Sequence, residues 1–219
     1  KGALAVVMTE GFFADPDLRL EFPATYRNRE PIAAVLARWL PQSGHVLEVA
    51  SGSGEHAVFF QQCFPGLVWH SSDPDPDHRA SIAAWIAHEH LAARMPSPLP
   101  LDVASRPWSL GASLQADLAA IVAINLIHIA PWACCEALFA EAASRLPKKA
   151  PLVLYGPFRC NGCHTSDSNA AFDHSLRSRS PLWGVRDLEA VEALAAHCGF
   201  RAGEVCSMPA NNLAIAYRR

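Results

Sequence analysis

The chain has 219 residues and a mass of 23.7 kDa; 51% of its residues are hydrophobic, its formal charge is −3 and its pI is near 6.4. That length suffices for one substantial core with little left for a second, and the slightly acidic balance excludes the cationic excess by which proteins grip nucleic acid through its phosphates. Small-molecule partners are therefore expected, without nucleic acid and, since no run approaches the roughly 18 to 20 apolar residues that span a bilayer, without a membrane.

The opening Ala3–Met8 is apolar but short, follows a single lysine and gives way to Glu10, unlike a signal peptide. Met8 reads as a natural start, with residues 1–7 an upstream extension. Residues 1–24, with Gly11, Pro16 and Pro23 and no sustained period, read as an N-terminal arm or lid, and residues 25–219 as a single domain. From Glu30 the pattern changes: Pro31 suits a first helical turn, and Ile32, Val35, Leu36, Trp39 and Leu40 recur on one helical face until Pro41 and Gly44.

A strand is expected over 45–50, then a glycine turn, then a helix through Val58, Phe59 and Phe60 that stops at Pro65-Gly66. Residues 67–72 read as a second strand, 78–90 as a helix, and 99–103 as a short third strand ending near Asp102. The unbroken apolar run Leu118–Ile124 reads as a central parallel strand covered on both faces. A helix over 131–145 and a strand over 152–155 follow, then a long polar loop from Gly156 to about Asn169. Helices over 168–177 and 187–198 precede two final strands over 203–208 and 212–218, joined tightly by Pro209-Ala210-Asn211. Alternating strands and helices imply an α/β fold, a mostly parallel sheet with helices on both faces and an antiparallel finish. Seven scattered cysteines, including the adjacent Cys134 and Cys135, make no disulfide framework, so a reducing, cytoplasmic setting is expected.

The stretch Val46-Leu47-Glu48-Val49-Ala50-Ser51-Gly52-Ser53-Gly54-Glu55-His56 is the centre of this plan: a strand ending in a carboxylate, a turn that brings the backbone close to a ligand, and a helix start offering unpaired N–H groups. Ligands of open α/β sheets collect at the carboxyl ends of strands, and here those ends carry Glu48, Asp73, Asp102 and Asn125. The glycines also satisfy a relaxed dinucleotide fingerprint, with Asp73 about 20 residues on where a ribose-binding acid belongs. Glu48 directly before the turn, a full helix before the first strand and the third acid Asp102 all count against a pyrophosphate ligand. A cationic ligand without phosphates suits those acids better, and S-adenosylmethionine is one.

At this point the sequence resembles the class I methyltransferases, whose first motif is acid-x-G-x-G-x-G; here Ala50 stands for the first glycine. A closer resemblance is to the DUF938 family, which includes the methyltransferase-like 26 proteins. It rests on Phe22-Pro23-Ala24 with Arg27-Asn28-Arg29-Glu30-Pro31-Ile32, on Leu47 to His56, on Ser72-Asp73-Pro74-Asp75, on Asn125-Leu126-Ile127-His128-Ile129, on Tyr155-Gly156-Pro157-Phe158 and on Trp183-Gly184-Val185-Arg186-Asp187. The resemblance implies a Rossmann-like, seven-stranded class I methyltransferase fold. It implies that Glu48 and the backbone of Ala50, Ser51, Gly52 and Gly54 hold the methionine portion of S-adenosylmethionine, that Asp73 holds the ribose and that Asp102, with Val103, holds the adenine. Asp75 competes with Asp73, whose alternative is a helix cap.

Asn125 and His128 fall where such enzymes place groups near the transferred methyl, Asn125 as a cofactor or acceptor ligand and His128 as a general base. Arg27, Asn28 and Arg29 are expected to clamp a carboxylate, and Tyr155 to line the acceptor pocket. Cys160-Asn161-Gly162-Cys163-His164 has zinc-like spacing but no second half-site, so no metal is expected and the segment reads as a mobile substrate loop. Gly52-Ser53-Gly54 lacks the spacing of a hydrolase elbow, and no P-loop lysine follows it. The expected function is S-adenosylmethionine-dependent methyl transfer to a small molecule; the alternatives are a non-catalytic binding protein of the same fold and a nicotinamide oxidoreductase.

Overall fold

The computed structural model describes residues 18–219. The candidate start at Met8 and residues 9–17 of the expected arm lie outside the described residues. The helix α1 spans Pro23–Trp39, so it begins well before the Glu30-Pro31 start expected from the periodicity, and Pro31 lies inside it. Pro23 occupies the first turn, where a missing N–H costs nothing. Ile32, Val35, Leu36 and Trp39 form its buried stripe.

The main sheet has six strands in the order β2-β1-β3-β4-β9-β8. β1 (Gly44–Val49), β2 (Leu67–His70), β3 (Leu118–Ile124) and β4 (Leu152–Gly156) are parallel. β9 (Asn212–Tyr217) runs antiparallel to β4 and to β8 (Glu204–Met208). The sheet is therefore mixed and six-stranded, not the mostly parallel seven-stranded one expected. The expected third strand shrinks to a single parallel bridge between Ser72 and Leu99. Leu99 donates its N–H to the Ser71 carbonyl and accepts from the Asp73 N–H, both at 3.0 Å. The flanking Pro98 and Pro100 have no N–H to extend the ladder.

Helices cover both faces. Val46, Ala120, Val122 and Val153 pack with α1, α2 (Glu55–Cys63) and α3 (Pro76–His88) on one side. Leu47, Ile121, Leu152, Leu154 and Ile215 pack with α4 (Ala112–Ala116), α5 (Trp132–Arg145) and α7 (Leu188–His197) on the other. This two-sided burial is why β3 is an unbroken apolar run; each fully buried Leu or Phe contributes about 2 kcal/mol.

The loop expected after β4 is built, not polar coil throughout. β5 (Phe158–Cys160) and β6 (Cys163–His164) form a hairpin over Asn161 and Gly162, both at positive φ, and β7 (Arg186–Asp187) pairs with β5 in a second sheet. α6 (Asp167–Arg179) follows the hairpin, capped by the Ser166 side chain accepting from the Asn169 N–H. Among the described residues no helix is long and apolar enough to cross a membrane.

Candidate functional site

A cavity of about 520 Å³ opens at the carboxyl ends of β1, β2 and β3, within the range of small-molecule sites. Its floor is the turn after β1. Ala50, Gly52 and Gly54 all adopt positive φ, at 52°, 59° and 93°. Ala50 thus takes the left-handed conformation that a glycine would adopt freely, at a cost on the order of 1 kcal/mol. Gly54 is required sterically as well: a Cβ there would lie 2.8 Å from the Ile82 Cα, so only glycine lets α3 pack against the turn.

Hydrogen bonds stitch this turn to the end of β2. The Ser51 N–H donates to the Ser72 carbonyl at 2.8 Å, and the Ser72 hydroxyl donates to the Glu48 carbonyl at 2.8 Å. The Gly52 N–H donates to Asp73 Oδ2 at 2.9 Å. Asp73 also accepts from the Asp75 N–H at 3.0 Å and meets His78 Nδ1 at 3.1 Å, both through Oδ1. A carboxylate offers about four acceptor directions, so most of Asp73 is already committed to shaping the turn, and Oδ2 keeps the remaining one. The helix cap of α3 is Asp75, whose Oδ1 accepts from the Asp77 N–H at 2.8 Å. The two acids of the Asp-Pro-Asp run are thereby separated: Asp75 is exposed and caps, and Asp73 is buried against the glycine turn.

Glu48 is 2% exposed, on the cavity wall, and its Oε2 accepts from the Trp69 indole N–H at 2.7 Å. Burial raises its pKa to about 8; the Trp69 bond opposes the rise and the neighbouring Asp73 adds to it. The carboxyl is consequently held largely neutral at pH 7. Asp102 and Val103 form another part of the wall. Asp102 is exposed and accepts from the Ala104 N–H and the Ser105 hydroxyl, each at 3.0 Å. Asn125, at φ 53°, turns the chain out of β3, and Leu126, Ile129, Ala130 and Cys134 complete an apolar side. Arg186 holds that loop by donating Nε–H to the Ile127 carbonyl at 2.9 Å and a terminal N–H to the Ala130 carbonyl at 2.7 Å.

Residues 18–22 are tied to α2 and α3. The Leu20 N–H donates to Ser81 Oγ at 2.8 Å, the Phe22 N–H to Glu55 Oε2 at 2.7 Å, and the Trp85 indole N–H to the Leu20 carbonyl at 2.9 Å. The Phe22 ring lines the cavity beside Gly52, where a Cβ would meet it at 3.3 Å.

Glu48, Ala50, Ser51, Gly52, Asp73, Asp102, Val103 and Asn125 therefore share one cavity wall, and Gly54 supports the turn behind it. Other expected site residues lie elsewhere. Arg27, Asn28 and Arg29 are consecutive on α1, so their side chains diverge by about 100° each and do not converge as a clamp. Arg29 lies over the rings of Tyr26 and Phe59, at 4.5 and 4.7 Å. His128 is not on the cavity wall: it is 2% exposed, its Nδ1 has no partner, and it packs edge-on to Phe172 and against Gly156. Burial, with Arg186 nearby, lowers its pKa to about 4. That position supports the Asn125 loop and does not reach the ligand space. Tyr155 is buried behind the wall, with Asn28 and Asn212 near its hydroxyl. Cys160 and Cys163 face one another across the hairpin, and among the described residues no group of three or more His, Cys, Asp or Glu is gathered for a metal. The sequence assigns no role to His56, His78 or Phe22, although His56 ends the central motif and Phe22 opens the first stretch of the family resemblance.

This wound sheet, with its glycine turn after the first strand, has the fold of solved O-methyltransferases. Comparison with solved structures agrees. An O-methyltransferase family 2 protein from Planctomyces limnophilus, in complex with apigenin, superposes with a TM-score of 0.74 at 18% identity, over 89% of this chain and 57% of that one. An O-methyltransferase family protein from Burkholderia thailandensis gives 0.74 at 16% identity, over 90% and 57%. An O-methyltransferase from neocarzinostatin biosynthesis, in complex with S-adenosylmethionine and 2-hydroxy-5-methyl naphthoic acid, gives 0.69 at 16%, over 89% and 54%. The chain thus spans little more than half the length of these proteins. Within that fold it belongs to DUF938, a family described as proteins of unknown function, whose model matches residues 19–219.

Proposed function

We propose that this chain is an S-adenosylmethionine-dependent methyltransferase acting on a small molecule. The observation that carries the reading is the acidic character of the cavity: Glu48, Asp73, Asp75 and Asp102 line it, and among the described residues neither Lys nor Arg does. Such a wall repels a pyrophosphate and suits a ligand with an ammonium, a sulfonium and a ribose diol. Glu48, and the backbone of Ala50 to Gly54, take the methionine end; the free direction of Asp73 Oδ2 takes a ribose hydroxyl; Asp102 and Val103, backed by Leu126, Ile129 and Ala130, take the adenine. Asn125 stands between the two ends. Two of the similar structures, one in complex with apigenin and one with S-adenosylmethionine and 2-hydroxy-5-methyl naphthoic acid, support a cofactor and a small-molecule acceptor.

Bound as a co-substrate, S-adenosylmethionine supplies an activated methyl electrophile, so the protein's work is to align an acceptor and exclude water. Phe22, on the strap tied to α2 and α3, lines the cavity, and the Arg186-pinned loop fixes Asn125 and Ile129. Titration calorimetry tests the reading: S-adenosylmethionine and S-adenosylhomocysteine bind at one site, and NAD(H) does not. Binding of NAD(H) that survives Glu48→Ala would overturn it.

A further inference from the structure

His56 stands in the first turn of α2 with its ring on the cavity wall, and its two nitrogens are differently employed. Nε2 lies 2.7 Å from Asn28 Oδ1. A carboxamide oxygen only accepts, so Nε2 carries the hydrogen of the neutral ring. Asn28 and Asn212 both stand near the Tyr155 hydroxyl, opposing the rise that burial gives its pKa. Asn212 in turn donates to the Pro209 carbonyl at 3.2 Å. Stacking on Phe60, with centroids 5.4 Å apart and planes 9° apart, fixes the ring's orientation.

Nδ1 is left with a lone pair. It makes no hydrogen bond among the described residues, and His56, unlike His128, lines the cavity. The rest of the wall narrows what can donate to it. Among the described residues four carboxyl side chains and no Lys or Arg line the space, and Arg29, part of the expected carboxylate clamp, is held against Tyr26 and Phe59. An acceptor carrying a carboxylate or phosphate would meet like charge and nothing to neutralise it.

We infer that His56 is the proton acceptor of the acceptor subsite, and that the methyl acceptor is an uncharged small molecule presenting a hydroxyl or thiol to His56 Nδ1. The inference rests on the methyltransferase reading above. In the step it describes, Nδ1 takes the proton of the acceptor's O–H or S–H. The freed lone pair forms the new bond to the methyl carbon, and the electron pair of the breaking C–S bond returns to sulfur, leaving a neutral thioether. The positive charge passes from sulfonium to imidazolium, so the buried site keeps its net charge. Burial, with Arg29 nearby, lowers the His56 pKa to about 4, which keeps the lone pair free beforehand and returns the proton to solvent afterwards. Asn28 is a positioning residue that sets the tautomer.

Nuclear magnetic resonance of the full chain labelled with ¹⁵N-histidine tests this, with His56 assigned from the signal lost in His56→Gln. At pH 7 the expected spectrum shows Nε2 protonated and Nδ1 bare; adding 7-hydroxycoumarin or phenylmethanethiol shifts Nδ1, and adding benzoate does not. In Asn28→Ala the tautomers mix. In single turnovers with S-adenosylmethionine, His56→Gln slows methylation of 7-hydroxycoumarin or phenylmethanethiol by about 100-fold or more, while affinity for S-adenosylhomocysteine changes less than about threefold. A protonated Nδ1, a spectrum unmoved by both probes, a benzoate shift of equal size, or unchanged turnover in His56→Gln overturns the inference. Absence of S-adenosylhomocysteine binding by the wild type overturns the methyltransferase reading instead, and the probe titration without cofactor still decides whether Nδ1 receives an uncharged donor.

Discussion

Replacing Glu48 by Gln isolates one proton. In the empty protein the Glu48 carboxyl is buried and its pKa is raised from 4.5 to about 8, so between those values the folded state binds a proton that the unfolded state does not. A folded pKa above the unfolded one gives stability that is fully present below pH 4.5 and is lost as pH rises through about 8. His56, His70 and His128 act in the opposite sense: burial lowers each from 6.5 to about 4, so each contributes stability above pH 6.5 that is lost as pH falls through about 4. At pH 6.5 each of these histidines is still half protonated in the unfolded chain, so between pH 6.5 and 8 the three together add about 1.2 kcal/mol of stability, equally in the wild type and in a Glu48 variant. The Glu48 limb acts against this: at most about 1.36 kcal/mol is lost per pH unit for one proton, which gives about 1.5 to 2 kcal/mol between pH 6.5 and 8. Gln keeps an oxygen to accept from Trp69 and cannot ionise. Urea unfolding of both proteins at pH 6.5 and pH 8 is the assay. Over that interval the change in stability is expected to be less favourable in the wild type than in Glu48→Gln by about 1.5 to 2 kcal/mol. Equal changes in the two proteins would refute the placement of a buried, protonated Glu48.

Three further outcomes follow from the same geometry. Cofactor binding at pH 7 releases up to one proton in the wild type and none in Glu48→Gln, measured as the difference in binding enthalpy between phosphate and Tris buffers. Gly54→Ala, which forces a Cβ to 2.8 Å from the Ile82 Cα at a φ of 93°, lowers stability by about 2 kcal/mol or more, read from the thermal midpoint; an unchanged midpoint would show that α3 does not press on the turn. Glu141 accepts from Arg106 Nε at 3.1 Å, the Trp108 N–H at 3.1 Å and Arg145 Nε at 2.7 Å while nearly fully buried. Glu141→Ala strands those donors and costs about 3 kcal/mol, with little change in the affinity of protein that remains folded.

The parts of the fold that follow from local chemistry were legible in the sequence. The run from Val46 to His56 announces strand, tight turn and helix in one stretch, and the apolar Leu118–Ile124 announces a doubly covered strand; both are found. Where local signals compete, the reading fails. Pro31 looks like a helix start, but Pro23 also fits that position and the buried stripe continues across both. Leu99 looks like part of a strand, but Pro98 and Pro100 leave it one bridge. The second sheet is built of two- and three-residue strands, too short to show a period. Site residues divide in the same way. Glu48 and Asp73 stand at the ends of adjacent parallel strands and so converge by topology, whereas Asn28 meets His56 only because α1 packs beside α2, 28 positions later in the chain. Arg27 to Arg29 read as a cluster because they are adjacent in sequence, and a helix separates neighbours. His128 follows the same strand as Asn125, yet it turns away from the cavity to pack under Phe172.

The measurement that bears most directly on the whole account is titration of the purified, folded chain with S-adenosylmethionine, alongside Asp73→Asn. The expected result is one saturable site for the wild type, weakened about tenfold or more in Asp73→Asn, since loss of a buried charged hydrogen-bonding group costs about 1.5 to 3 kcal/mol. A folded wild-type protein that gives no binding, or an Asp73→Asn variant that binds as well as its parent, would contradict it.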